Sequence, residues 1–239
     1  MIYLEEANLL FLKPFKVAGT SFEIALSKFA SPNDIISSLH ANDRIRSSLN
    51  FPGPQNHKYS WREVFAMSPR KQIQFARYTH LRVKYPQHTN AKMAHDLLGA
   101  RRFHAALKIS IVRNPFDYLI SHYFNHNQAA TEGRVRFSTW IRQNPWVLNR
   151  NDQFYYLAEA EIIDYYLQFE KIHEDVEQLE KLKPEIKGLA KIFSSISANS
   201  RSRPEGATVQ ELFREQSLLV DTVKFFQNKH INKFGYSTP

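Results

Sequence analysis

The stretch Leu9-Leu10-Phe11-Leu12-Lys13-Pro14-Phe15-Lys16-Val17-Ala18-Gly19-Thr20-Ser21 constrains this chain more than any other. Its apolar start, Leu9 to Leu12, has the length of a strand buried on both faces. Pro14 breaks the run, and the small residues Gly19, Thr20 and Ser21 follow. A helical pattern then begins with Phe22, Ile24, Ala25, Leu26 and Phe29. Backbone N–H groups at such a helix start lack helical acceptors and carry the positive end of the dipole, so they suit a phosphate. Lys16 adds a full charge within reach.

The residue order is not that of the nucleotide-triphosphate loop, G-x-x-x-x-G-K-[ST], where Lys follows the second Gly. Here Lys16 precedes Gly19, and no Lys stands beside Thr20. Lys16-Val17-Ala18-Gly19-Thr20-Ser21 instead resembles the 5′-phosphosulfate loop of sulfotransferases, enzymes that use 3′-phosphoadenosine 5′-phosphosulfate (PAPS).

A second segment carries the same resemblance. Leu107 to Val112 reads as another buried strand and runs into Arg113-Asn114-Pro115-Phe116-Asp117-Tyr118-Leu119-Ile120-Ser121. Pro115 suits a first helical turn, and Phe116, Leu119, Ile120 and Tyr123 then share one face. The segment is similar to the V-R-N-P-x-[DE]-x-x-x-S run of sulfotransferases, which implies that Arg113 and Ser121 bind the 3′-phosphate. Arginine fits this task through its planar fork of donors.

Looser likeness spans nearly the whole chain. His88 to Gly99 resembles H-x-[ST]-A-x-E-I-x-x-x-[LI]-G of the carbohydrate-type branch, with Asn90 and Met93 as departures. Phe169 to Asp175 resembles a later F-E-x-[LI]-x-x-D segment, and Phe234-Gly235-Tyr236 a common terminus. His230 stands where an Asp usually precedes that terminus by four residues.

The resemblance implies one domain, 1–239, with a P-loop-NTPase-like α/β sulfotransferase fold. It implies transfer of a sulfuryl group from PAPS to a hydroxyl, or an amine, of a carbohydrate or small metabolite. The cofactor-binding set would be Lys16, Ala18, Gly19, Thr20, Ser21, Phe22, Arg113 and Ser121. Lys16 would also act in catalysis, neutralising charge on the departing phosphate. A base must take the acceptor proton, and imidazole, with an ordinary pKa of about 6.5, suits neutral pH. His88, at the H-x-x-A position, and His80, in a Tyr78-Thr79-His80-Leu81 run resembling K-T-H-L of cytosolic sulfotransferases, are the two candidates. Glu23 is a third. A P-loop nucleotide kinase and a non-catalytic module binding nucleotide or anionic glycan are the alternative functions.

Other features set bounds. A chain of 239 residues suffices for one well-cored domain. Without cysteine there is no disulfide, thiolate zinc site or cysteine nucleophile. The histidines lack metal-ligand spacing and no acidic cluster marks a magnesium site, so no metal is expected. The net charge of +9 attracts polyanions. Its compact basic spots are Arg101-Arg102 and the pair Arg134 and Arg136. With no zinc finger or RNA-binding signature, the charge is ascribed to cofactor and acceptor, and no nucleic-acid partner is expected. No targeting h-region or membrane-spanning apolar run is present, so a cytoplasmic enzyme without a membrane partner is expected. Trp61, Trp140, Trp146, Tyr155 and Tyr156 are aromatics able to stack on a sugar.

Strands are predicted at 9–13, 73–81, 107–112 and 163–169. Helices are predicted at 21–29, 91–98, 116–126, 137–143, 172–182 and 209–234. Their alternation predicts a parallel sheet flanked by α-helices, with ligand beyond the carboxyl ends of the strands.

Overall fold

The chain enters its core at once. In the computed structural model, which describes residues 1–78, 82–127, 135–196, 203–204 and 206–239, Ile2–Leu4 forms β1 and Leu9–Leu12 forms β2. A turn closed by Asn8 N–H to Glu5 O, 3.1 Å, reverses the chain between them, with Asn8 left-handed at φ 46°. After the helix α1, Gly19–Ser27, the short β3, Ile35–Ile36, pairs with β1. Five helices follow: α2 Asp43–Ser48, α3 Trp61–Phe65, α4 Pro69–Arg77, α5 Ala91–Leu98 and α6 Ala100–Ala105. Then come β4 Leu107–Val112, α7 Pro115–His126, α8 Phe137–Gln143 and α9 Asp152–Tyr155. A small hairpin of β5 Tyr156–Leu157 and β6 Ala160–Glu161 leads to β7 Tyr165–Gln168. The chain ends with α10 Ile172–Leu182, α11 Leu189–Ser194, α12 Val209–Phe213 and α13 Ser217–Phe234.

The result is a mixed α/β architecture around a five-stranded sheet of order β3-β1-β2-β4-β7. Strands β2, β4 and β7 run parallel, with Leu9 opposite Leu107 and Ile109 opposite Tyr165. The expected all-parallel sheet is corrected at its other edge, where β1 is antiparallel to both β2 and β3. Two-residue alternation explains the layers. Leu9 and Phe11 join Phe22, Ile109, Leu167 and Val176 on the face covered by α1, α10 and α11. Leu10 and Leu12 join Ala91, Leu98, Phe103 and Phe154 on the other face. A third apolar cluster packs α7 against α8, α12 and α13 through Phe116, Leu119, Trp140, Phe213 and Val223.

Two more expectations are corrected. The proposed strand at 73–81 is helical as far as Arg77; its last residues, 79–81, lie outside the described residues. Ser68 with Pro69 at the first helical position starts α4, a signal that outweighs the Ile73/Phe75 alternation. The single helix at 209–234 is two, broken by Glu215 at φ 57°, and α13 bends again at the non-helical Gln227. Among the described residues no helix is long and apolar enough to cross a membrane.

Candidate active site

The loop after β2 is held from several sides. Asn151 brackets Phe15, accepting its N–H at 2.9 Å and donating to its carbonyl at 3.0 Å. Lys16 and Ala18 are both left-handed, at φ 58° and 60°, a conformation that side chains disfavour and that tight loops at binding sites retain. Ala18 is the N-cap of α1 and no side chain caps this end; the first helical bond is Phe22 N–H to Ala18 O, 3.3 Å. A Cβ on Gly19 would lie 2.6 Å from Lys13 Cγ, so only glycine lets the loop rest on the Lys13 stem. Lys13 is buried and its Nζ meets Glu23 Oε2 at 2.5 Å. Burial pushes the Glu23 carboxyl up, but Lys13, the Met1 amine and Arg46 outweigh it and hold the pKa at about 2.

The end of β4 meets this loop. Arg113 donates from Nη1 to Lys16 O at 2.8 Å and from Nε to Asp117 Oδ2 at 2.7 Å, while its guanidinium lies 3.9 Å from the Phe169 ring centre. Of its five N–H groups, two remain for a ligand after Nη2 also pairs with Asp117. Asp117 is shared with Arg203. Burial favours the neutral carboxyl, yet Arg113 and Arg203 hold it below the usual range. One carboxylate therefore serves two guanidiniums. Lys16 Nζ donates to the neutral amide of Asn125 at 2.9 Å and forms no ion pair with a carboxylate among the described residues. Burial, then the Arg113 charge, lowers its pKa.

Loop, strand end and α7 enclose a cavity of about 650 Å³, lined by Lys16, Ala18, Gly19, Thr20, His88, Arg113, Ser121, Asn125, Phe169 and Arg203 among others. That is the size range of small-molecule sites. Comparison of the chain with protein-family models, with curated proteins and with solved structures returned no match.

His88 lines the cavity beside Lys13 and Phe15. Its Nδ1–H donates to Lys13 O at 3.0 Å, which leaves the lone pair on Nε2. The ring stacks on Phe15 with centroids 3.9 Å apart. Burial, then the Lys13 charge, lowers its pKa to about 4, so it is neutral at physiological pH. Asn90, accepting from Met93 N–H at 2.9 Å, caps α5 and frees His88 from that duty. Phe15 also carries the Arg150 guanidinium, 3.6 Å from its centroid, and Arg150 donates to His122 Nε2 at 3.0 Å.

Most residues singled out in the sequence thus converge on one cavity, with exceptions. Ser21 and Phe22 are buried and do not line it, and the Phe22 N–H is already spent on the helix. Glu23 is fully buried in its ion pairs, which removes it as a candidate base. His80 lies outside the described residues. Trp140 and Tyr155 are core residues, and Trp61 projects from α3 without lining the cavity. His230 lies in a buried polar cluster, 3.8 Å from Asp152 and 2.9 Å from Gln227 Oε1. Sequence reasoning missed Asn125, Arg203, Arg150 and Asn151. Only Asn125 had a local signal, one helical turn beyond Ser121 on the same face.

Proposed function

We propose that the chain is a PAPS-dependent sulfotransferase acting on a hydroxyl of a carbohydrate or small metabolite. The reading rests on one observation: Lys16, the open start of α1, Arg113 and Ser121 share a cavity although the sequence separates them by about a hundred residues. The donor set suits a nucleotide with phosphates at two places. The uncapped helix start with Lys16 fits a group at one end. Arg113 and Arg203, which share the Asp117 carboxylate, fit a second anion at the other.

Bound there, the nucleotide would supply the sulfuryl group and the phosphate leaving group. Lys16 would stabilise negative charge as it develops, because its Nζ donates to a neutral amide and pairs with no carboxylate among the described residues. Arg113 and Ser121 would orient the nucleotide. His88 would accept the acceptor proton at Nε2, its Nδ1–H being fixed on Lys13 O. The Phe15 ring behind it limits rotation of the imidazole.

Calorimetry with 3′-phosphoadenosine 5′-phosphate and with adenosine 5′-phosphate tests the binding half. The 3′-phosphate is expected to tighten binding at least about tenfold. Equal affinity removes the assignment of Arg113 and Ser121. Transfer of label from [35S]PAPS to a panel of sugars and hydroxylated metabolites tests the chemistry. Magnesium-dependent turnover of ATP instead would identify a kinase.

A further inference from the structure

Helices α3 and α4 form a projecting pair whose surface is both apolar and cationic. In α3 only Val64 is buried, and α4 buries none of its residues. The Gln72 amide ties the pair, donating to Phe65 O at 3.0 Å and to Met67 O at 2.8 Å, and the Phe75 ring lies 5.6 Å from that of Tyr59. Large apolar side chains are left in water, with Trp61 58%, Phe65 69% and Ile73 68% exposed. Arg62, Arg70, Lys71 and Arg77 are exposed on the same two helices. Their one carboxylate, Glu63, is tied to Lys84 at 2.6 Å, so it does not offset them. Arg70 and Lys71 are adjacent in the sequence, and Arg62 and Arg77 join them on the same pair of helices.

We propose that this surface docks the protein onto an anionic lipid bilayer, a role beyond the sulfotransferase reading and independent of it. Charge complementarity selects an anionic occupant. The apolar side chains select among anionic occupants. A polyanion in water would meet the arginines but leave Phe65 and Ile73 as exposed as before. The Trp61 ring already carries Arg82 at 4.4 Å, which occupies one stacking face. A second copy of this chain would bring like charges together across a two-fold interface. A bilayer surface takes both sets: phosphate headgroups pair with the cations, and the boundary below them receives Trp61, Phe65 and Ile73. The attachment is peripheral. It departs from the sequence-based expectation of no membrane partner, which rested on the lack of a targeting h-region and of a membrane-spanning run.

The test is co-sedimentation of the intact chain with vesicles of phosphatidylcholine mixed with phosphatidylglycerol, and with phosphatidylcholine vesicles alone. Binding is expected to the mixed vesicles only, and to weaken at high salt. The doubles Phe65→Ser/Ile73→Ser and Arg70→Glu/Lys71→Glu are each expected to lose at least about tenfold in vesicle affinity. Circular dichroism and melting of both variants are expected to match the parent, since these side chains are exposed. The proposal is overturned if the parent chain stays in the supernatant with mixed vesicles, or if the folded Phe65→Ser/Ile73→Ser variant binds as the parent does. Binding of heparin or single-stranded DNA through the same arginines, without vesicle binding, assigns the surface to a soluble polyanion and equally overturns it.

Discussion

Arg113 donates a hydrogen bond to the main-chain carbonyl of Lys16, 2.8 Å away and 97 positions earlier in sequence. The residue read as a phosphate ligand on one strand therefore also shapes the loop after another. Lys16 is left-handed at this point, and the bond helps hold it so.

Arg113→Lys is expected to weaken binding of 3′-phosphoadenosine 5′-phosphate by about 10- to 100-fold, because lysine cannot donate to Lys16 O, Asp117 and a phosphate together. Calorimetry measures the loss. An affinity within twofold of the parent shows that the guanidinium fork is dispensable.

Lys16→Ala separates binding from chemistry. Turnover at saturating PAPS is expected to fall about 10²–10³-fold, with affinity for the bisphosphate product changed only a few-fold. Near-normal turnover in this variant removes Lys16 from the leaving-group role.

His88→Ala is expected to cost about 10²–10⁴-fold in rate and little in nucleotide affinity. In the parent chain the acid limb of the rate profile is expected near pH 4, where burial and the Lys13 charge hold the imidazole. A limb near the ordinary imidazole value points to another group. His80→Ala is the control, and a large loss there with His88→Ala active transfers the role.

The residues that line the cavity were more legible in the sequence than the fold's edges. The two segments read as phosphate-binding are each local in sequence, strand end, loop and helix start, so residue order alone marked them. Asn151 and Arg203 reach the site from distant segments, and nothing beside them in the chain announces a contact with Phe15 or Asp117. The β1 edge was missed because Ile2–Leu4 is too short to show a period. Ile73 and Phe75 mimic strand alternation, yet they sit on a helix that buries nothing, where packing imposes no pattern.

Acid is expected to destabilise the fold before any carboxylate network fails. His88, His122 and His230 are each lowered by burial from 6.5 to about 4, and burial lowers the Met1 amine from 8.0 to about 5. Below each ordinary value the unfolded chain binds more protons, so stability falls as pH drops from about 8, where the Met1 amine begins to count, toward 4. Asp152, raised by burial from 3.8 to about 6, acts in the opposite sense between those values and offsets one histidine. The net loss is on the order of 5–10 kcal/mol. Urea midpoints at pH 7 and pH 4.5 measure it, and equal midpoints contradict the account.

Glu23→Gln tests the buried ion pair beneath the loop. It leaves Lys13 charged and without its carboxylate partner in the core, at a cost of about 3–5 kcal/mol. Urea unfolding measures it. A loss under 1 kcal/mol shows that Lys13 sheds its proton or finds water.

The contact between Gly19 and the Lys13 stem makes two positions hereditary partners. No side chain fits at 19 while a long one lies at 13, and the cation at 13 answers a carboxylate at 23. A lineage that shortens residue 13 gains room for alanine at 19 but strands the carboxylate, so the three sites are bound to drift as a set. Among descendants of this chain, a change at one of them unaccompanied by the others marks a loop that has been rebuilt.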